Sequence, residues 1–358
     1  MRYRVGELVD SISKKCDFKT DKIIFLNTGD IEDGKIVNNN CYKISDLPGQ
    51  AKKKIKNGDI LFSEIRPKNK RYALVENIDE TNYVVSTKLM VLRNKDSKVL
   101  NIKYFYYFLT SPKMLRYLQS EAEARSGTFP QITFKDNIYP ITINLPSLAE
   151  QNKIVKNIDS IVNKIKNNQK INTNLFELAN IIFQQSFNCN GNIPLSHYFL
   201  PKRGKNLLKK NVEPGAVPVV AGGLKPAAYH NISNTETPVI TISASGANAG
   251  YVQIWGQKVW SSDSSYIDSS ITDNIYFWYI FLKSRQKQIF DAQTGSAQPH
   301  IYPKHIGNLL ISELDEEQVQ SFNKKVTPIF EKIFQNQRNN SVMEDVKNSL
   351  LYKFFNDY

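Results

Sequence analysis

The residues best suited to chemistry in this chain are cations in short clusters. Arg66-Pro67-Lys68-Asn69-Lys70-Arg71 packs four positive side chains into six residues. Lys52-Lys53-Lys54 with Lys56 forms a second cluster. Lys202-Arg203-Gly204-Lys205, followed by Lys209-Lys210, forms a third. Arg125, Lys225 and Lys304 are further candidates. Ammonium and guanidinium groups at such spacing suit nucleic-acid phosphates, which supply affinity but no sequence information. Thr128, Gln131, Asn248 and Gln298 carry groups able to hydrogen-bond base edges. For any single lysine, a solvated surface position is the plainer reading.

Catalytic constellations do not assemble. The sequence holds no Gly-x-x-x-x-Gly-Lys-Ser/Thr phosphate loop and so no ATP-driven motor. It has no Pro-Pro pair, which removes the Asn/Asp-Pro-Pro-Tyr/Phe element of amino-methyltransferases. No Pro-Asp dipeptide opens a common nuclease metal motif. Ser245-Gly246-Ala247-Asn248-Ala249-Gly250 has the glycines to approach a phosphate, but also those of a tight connection between strands. His300 and His305 are five apart with no helix to put them on one face, a poor metal pair. Asp263 beside Ser261 and Ser262 lacks a base partner, which favours a hydrogen-bonded turn over nucleophilic catalysis. No catalytic, cofactor-binding or metal-ligating residue is assigned.

Elements must position these side chains, and composition bounds them. The 358 residues suffice for about two to three domains with their own cores. The 41% hydrophobic and 11% aromatic content is that of a globular chain. No apolar run approaches the ~20 residues that span a bilayer. The opening Met1-Arg2-Tyr3-Arg4-Val5-Gly6-Glu7 lacks a signal-peptide core. Cys16, Cys41 and Cys189 are scattered and odd in number, as reduced thiols are, and a cytoplasmic location is expected. The net charge of +13 attracts polyanions. Residues 1–145 carry +8 of it and residues 189–312 carry +5, whereas residues 313–358 carry −2. The basic excess therefore lies mostly in two non-helical regions.

Those regions read alike. Ser126-Gly127-Thr128-Phe129-Pro130-Gln131-Ile132 is answered by Thr294-Gly295-Ser296-Ala297-Gln298-Pro299-His300-Ile301. Val84-Val85-Ser86 is answered by Val259-Trp260-Ser261, and Glu150-Gln151 by Glu317-Gln318. The offsets of 167 to 175 residues are about half the length. Strands are predicted at Asp59–Ser63 and across Tyr83–Leu92, with partners at Pro238–Ile242 and Gly250–Trp255. An aromatic-rich helix over Tyr104–Leu118, interrupted near Ser111-Pro112, matches one over Ile275–Phe290.

Two long helices close the halves, about Ser147–Phe187 and Asp315–Phe355. At 1.5 Å per residue each runs roughly 60 Å. Ile158, Ile161, Ile165, Leu175, Ala179 and Ile182 keep a heptad spacing in the first helix, and Val326, Ile329, Ile333, Met343 and Leu350 in the second. Asn168 and Asn172 interrupt one seam, and Asn336 and Asn340 the other, 168 residues later. Buried seam asparagines cost stability but fix register and orientation. An intramolecular antiparallel coiled coil is the expectation, with Asn168 facing Asn340 and Asn172 facing Asn336. The same register pairs Ile158 with Leu350, Ile165 with Met343, Leu175 with Ile333 and Ile182 with Val326. Two amphipathic helices packed separately on their own domains are the alternative.

The whole pattern resembles the specificity subunit of type I restriction–modification systems. Ile143-Asn144-Leu145-Pro146-Ser147-Leu148-Ala149-Glu150-Gln151-Asn152-Lys153-Ile154 looks like that family's Pro-x-Leu-x-Glu-Gln-x-x-Ile entry into a spacer helix. Ile311-Ser312-Glu313-Leu314-Asp315-Glu316-Glu317-Gln318 is a weaker copy without the proline. Gly58-Asp59-Ile60-Leu61-Phe62-Ser63-Glu64-Ile65-Arg66-Pro67 and Gly246-Ala247-Asn248-Ala249-Gly250-Tyr251 also resemble recognition-domain segments. The resemblance implies an α+β fold of two tandem α/β target recognition domains, 1–145 and 189–312. Conserved spacer helices, 146–188 and 313–358, would follow them and pair with internal pseudo-two-fold symmetry. It implies a non-catalytic chain whose domains each read half of a bipartite, gapped site in double-stranded DNA. The helices would set the gap and dock two methyltransferase subunits, which use S-adenosylmethionine on adenine N6. Motor–nuclease subunits using ATP and magnesium would join them, and no membrane is involved. Three other readings remain open: an enzyme with divergent motifs, a non-catalytic scaffold, and an inactive homologue.

Overall fold

A computed structural model of the chain describes residues 1–18, 20–295 and 298–356. It divides into two compact units, Met1–Ile165 with Val342–Tyr358, and Lys166–Ser341. Each contains one β-rich domain and parts of both long helices.

The first unit holds two four-stranded sheets. One runs Cys41–Lys43, Lys22–Leu26, Tyr83–Ser86, Ala51–Lys54, and the other Val9–Ser11, Leu89–Asn94, Ile60–Ser63, Tyr72–Leu74. Lys22–Leu26 and Tyr83–Ser86 pair parallel, with Val84 opposite Phe25. Helix α1 (Ile102–Leu109) starts where the Asn101 side chain accepts from the Lys103 and Tyr104 amides. Helix α2 (Pro112–Arg125) starts at Ser111 with proline at its first position, where the missing N–H costs nothing. Tyr104, Phe105 and Phe108 fill the core with Phe62, Leu118 and Phe355.

Tyr83–Leu92 is not one strand. It breaks at Thr87-Lys88 into strands that belong to different sheets. The break has a cause the sequence hides. The Lys53 ammonium donates to the carbonyls of Thr87 (3.0 Å) and Leu89 (2.8 Å), pinning the turn from inside. Burial lowers its pKa. Lys53 is therefore spent on structure, and the Lys52–Lys56 cluster is not a continuous cationic face.

Helix α3 (Leu148–Ser186) begins in the first unit and continues into the second. The second unit repeats the strand plan. Its sheets run Lys202–Arg203, Ser264–Asp268, Val239–Ser243, Val252–Trp255, and Ala228–His230, Val217–Val220, Trp260–Ser261. Val217–Val220 and Trp260–Ser261 pair parallel, as their counterparts do. Helices α4 (Ile275–Ser284) and α5 (Gln286–Asp291) replace α1 and α2, with the break at Arg285. Helix α6 (Glu316–Phe355) carries Pro328 inside it. Phe277, Phe281, Phe322 and Phe330 are central to this core. Among the described residues, no helix is long and apolar enough to cross a membrane.

The repeated Glu-Gln pair does not do the same work twice. Gln151 is fully buried, accepts from the Asn101 amide (2.8 Å) and donates to the carbonyls of Val99 and Pro146 (3.0 Å each). It ties the start of α3 to the cap of α1. Gln318 is exposed and donates to the Ser186 carbonyl instead. Asn323, further along α6, accepts from the Tyr276 amide at 3.0 Å and so caps α4 from outside. Without a counterpart of Pro146, α6 is begun by Asp315, whose carboxylate accepts from the Glu317 amide at 2.9 Å.

Candidate nucleic-acid interface

In the first unit, strand Ile60–Ser63 runs out into Glu64-Ile65-Arg66, and the segment Ser126–Ile132 lies antiparallel against it. Ile65 bridges Gln131. The Ile132 amide donates to the Glu64 carbonyl (2.9 Å) and the Arg66 amide to the Pro130 carbonyl (3.1 Å). The Arg66 guanidinium reaches the Thr128 carbonyl at 3.4 Å. Arg66 has φ 46°, in the left-handed region that disfavours side chains other than glycine. Thr128 and Phe129 stay exposed, and Gln131 is half-buried.

The second unit builds the same cradle. Strand Val239–Ser243 runs into Ala244-Ser245-Gly246, and Ser245 bridges His300. The Ile301 amide donates to the Ala244 carbonyl (2.9 Å) and the Gly246 amide to the Pro299 carbonyl (3.1 Å). Gly246, at Arg66's place, has φ 78°. Two residues back, the Glu64 amide donates to the Lys88 carbonyl and the Ala244 amide to the Asp263 carbonyl, each at 3.1 Å. Ser296 and Ala297 lie outside the described residues. The glycine-bearing 245–250 segment is thus a connection between strands, and Asn248 ties it to the Gly222 carbonyl at 3.3 Å.

Among the candidate cations in the first unit, Lys68, Lys70 and Arg125 pair with acidic side chains. Lys68 pairs with Glu123 at 3.4 Å, while its amide donates to buried Gln119 at 2.9 Å. The Gln119 hydrogen bond, and after it Lys68, lowers the Glu123 pKa. Arg125 pairs with Asp136 at 3.0 Å, and a hydrogen bond from Thr133 together with Arg125 lowers that carboxyl's pKa. Lys70 pairs with Asp33 at 3.4 Å, and Arg71 donates to the Ile31 carbonyl at 3.0 Å. These two gather on the Ile31–Glu32 strand and its turn. Lys54 lies on strand Ala51–Lys54 and joins neither group. Exposed pairs of this kind are worth about 0–1 kcal/mol, so a phosphate can displace the carboxylate at little cost.

In the second unit Arg203 pairs with Asp263 at 2.8 Å, and Asp263 accepts from Ser245 in the cradle. This recruits Arg203 and gives Asp263 a bracing role that sequence reasoning missed. Lys225 is exposed in the turn that carries Gly222. Lys205 is fixed through its backbone, its carbonyl accepting from the Trp260 indole at 2.8 Å. Gln298 is exposed, and its carbonyl meets His300 at 2.7 Å. Lys304 is exposed beside His305, whose pKa is lowered by burial and then by Lys304. His300 stacks on Tyr302. Among the described residues no cluster of three His, Cys, Asp or Glu could hold a metal.

The helix-seam residues distribute over both units. In the second, Asn168 donates to Asn340 (2.9 Å) and Asn336 to Asn172 (2.8 Å), while Asn172 also donates to the Ile333 carbonyl (3.3 Å). Partner numbers fall on α6 as they rise on α3, which is the antiparallel sense. Leu175, Ile182, Val326 and Ile333 share that unit's core. In the first unit Ile158 is buried with Leu350 packed against its cluster, Ile165 is buried, and Met343 is half-buried.

Residues 1–176 match the model of the type I restriction modification DNA specificity domain. Residues 1–176, just under half of the chain, thus carry the likeness to that specificity domain. A curated relative, the type I restriction enzyme HindI specificity subunit of Haemophilus influenzae, is 42% identical over 186 residues, 52% of this chain. The match spans 40% of that relative's length. The crystal structure of a type I restriction–modification S subunit from M. genitalium is similar at TM-score 0.58 and 19% identity, covering 99% of this chain and 96% of that one. An HsdS subunit from Thermoanaerobacter tengcongensis has TM-score 0.45 and 18% identity, with 99% and 96% covered. The M. genitalium likeness shows a shared fold, tandem α/β domains with long helices. The two cradles of this chain present exposed polar and cationic side chains from a β scaffold.

Proposed function

We propose that this chain is the non-catalytic, DNA-reading subunit of a type I restriction–modification complex. Each β-rich domain reads one half of a bipartite, gapped site in double-stranded DNA. The observation that carries this reading is the duplicated cradle, the same backbone bonds presenting different side chains among displaceable cations. Duplication calls for two half-sites, and divergence of the tips calls for different ones. Arg66, Lys68, Arg125 and Arg203 are the phosphate contacts that fit best, with Lys70, Arg71, Lys54, Lys205, Lys225 and Lys304 as outer contacts. Thr128, Gln131, Asn248 and Gln298 are the candidate base contacts.

The paired helices set the gap and dock two methyltransferase subunits. Ile171, Leu178 and Ile181 form an exposed apolar stripe on α3, a surface suited to a protein partner. S-adenosylmethionine, ATP and magnesium belong to the methyltransferase and motor–nuclease subunits, and the complex works in the cytoplasm. Methylation mapping after co-expression with the cognate methyltransferase subunit tests the reading. A gapped, adenine-methylated site is expected. No methylation by a properly assembled complex would leave an inactive homologue. Inserting four residues near Asn168, about one helical turn, is expected to lengthen the tolerated gap. Loss of binding without a new gap preference would remove the ruler.

A further inference from the structure

The two cradles share three backbone bonds, the second adds a reciprocal pair between Thr294 and His300, and their tips differ. Counting back from Pro130 and Pro299, the residue before the proline is Phe129 in the first copy and Gln298 in the second. Both are exposed. Phe129 leaves 47% of its surface in solvent, although the core of its unit is rich in aromatic rings. Its amide is fixed by the Ser126 hydroxyl at 3.1 Å. The carbonyl of the preceding Thr128 accepts from Arg66, so the ring stands on a segment braced from two sides. Arg66 holds that position with a left-handed backbone where the other unit uses glycine. Backbone strain retained at a side-chain-bearing residue marks a site where that side chain is needed.

We propose that Phe129 is a specificity-determining residue, reading a thymine 5-methyl group in the half-site of the first domain, with Arg66 as its positioning residue. This rests on the DNA-reading function proposed above. An aromatic ring has no hydrogen bond to offer a base edge, and the thymine methyl is the apolar feature of the major groove. Gln298, on the same scaffold, offers an amide that fits adenine N6 and N7. The half-sites are therefore read by different chemistry at equivalent points.

The test uses the full chain assembled with its methyltransferase subunits, on duplexes carrying the mapped site. Each thymine is replaced in turn by deoxyuridine, which removes only the methyl. Burying one methyl corresponds to about a fourfold change in affinity. Wild type is expected to lose about fourfold at one thymine of one half-site. Phe129→Ala is expected to bind thymine and uracil duplexes alike at that position while keeping its discrimination in the other half-site. Gln298→Ala is expected to leave the thymine effect intact. Wild-type indifference to deoxyuridine throughout the half-site would overturn the proposal. So would a Phe129→Ala protein that binds more weakly but still prefers thymine, since the ring would then act otherwise. If wild type showed no site-specific binding at all, the DNA-reading function itself would fall, and this inference with it.

Discussion

The first and second units share a strand plan and a cradle, yet each closes its core differently. In the first, Phe355 near the end of α6 packs edge-on against Tyr104 at 5.2 Å and Phe108 at 6.1 Å and is 1% exposed. In the second, Phe187 just past the end of α3 contacts Phe277 at 4.9 Å and Phe322 at 5.4 Å but is only half-buried. The two phenylalanines are 168 residues apart, the same offset as the seam asparagines. Equal sequence position thus carries unequal energetic weight. The comparison separates what duplication preserves, the backbone plan, from what each copy settles for itself, the packing of its ends.

The largest effect should come from that inequality. Phe355→Ala removes a fully buried ring and is expected to cost about 3–5 kcal/mol. Phe187→Ala, already wet on one side, is expected to cost clearly less. Chemical denaturation of each variant checks this, and equal losses would mean that the two ends are energetically alike. The seam is next. Asn168→Leu leaves Asn340 without its partner and is expected to cost about 1–3 kcal/mol. Asn168→Leu with Asn340→Leu should recover most of it while loosening the register. A double variant as unstable as the single one would show that packing, not the amide pair, decides the site.

Much of this was legible in the sequence, and the exceptions share a cause. Heptad spacing located both helices, and the paired asparagines gave the register found between Asn168 and Asn340. The repeats marked the cradles. Lys53 was illegible because a lysine in a basic run looks solvated, and only the turn it pins explains its burial. The pairing of Arg66 with Gly246 was illegible because unlike residues occupy one backbone role. Gln318 misled for the opposite reason, since like residues do unlike jobs. Phe129 was within reach, as the point where the two segments stop agreeing.

A smaller effect separates the units by pH. Burial raises the Asp33 pKa, but the hydrogen bond from Tyr72 at 2.8 Å and the charge of Lys70 outweigh it, so the carboxyl sits below its ordinary value. A depressed carboxyl contributes stability that is present above its unfolded pKa and lost as pH falls through the folded one. Asp33→Asn is therefore expected to be less stable than wild type near neutrality. That difference should close as acid protonates Asp33 below about pH 4. Stability curves of the two proteins against pH check this, and a gap that persists into acid would assign the loss to packing rather than charge.

The smallest effect is the most diagnostic of the cradles. Gly246→Ala places a β-carbon at φ 78° with no atom within 4 Å to obstruct it, so any cost is backbone strain alone. About 1–2 kcal/mol is expected. Arg66→Gly relieves the same strain in the first unit, offset by the entropy glycine adds to the unfolded chain. The net change should lie within about 1 kcal/mol, on the stabilising side. DNA affinity should move the other way, because the guanidinium and the brace on Thr128 are lost together. Thermal denaturation and a salt titration of DNA binding, run on the same preparation, read the two signs. Opposite signs mean that the first unit keeps a strained arginine for binding. If stability and affinity fall together, Arg66 is simply part of the cradle's structure, and the two units differ less than their backbones suggest.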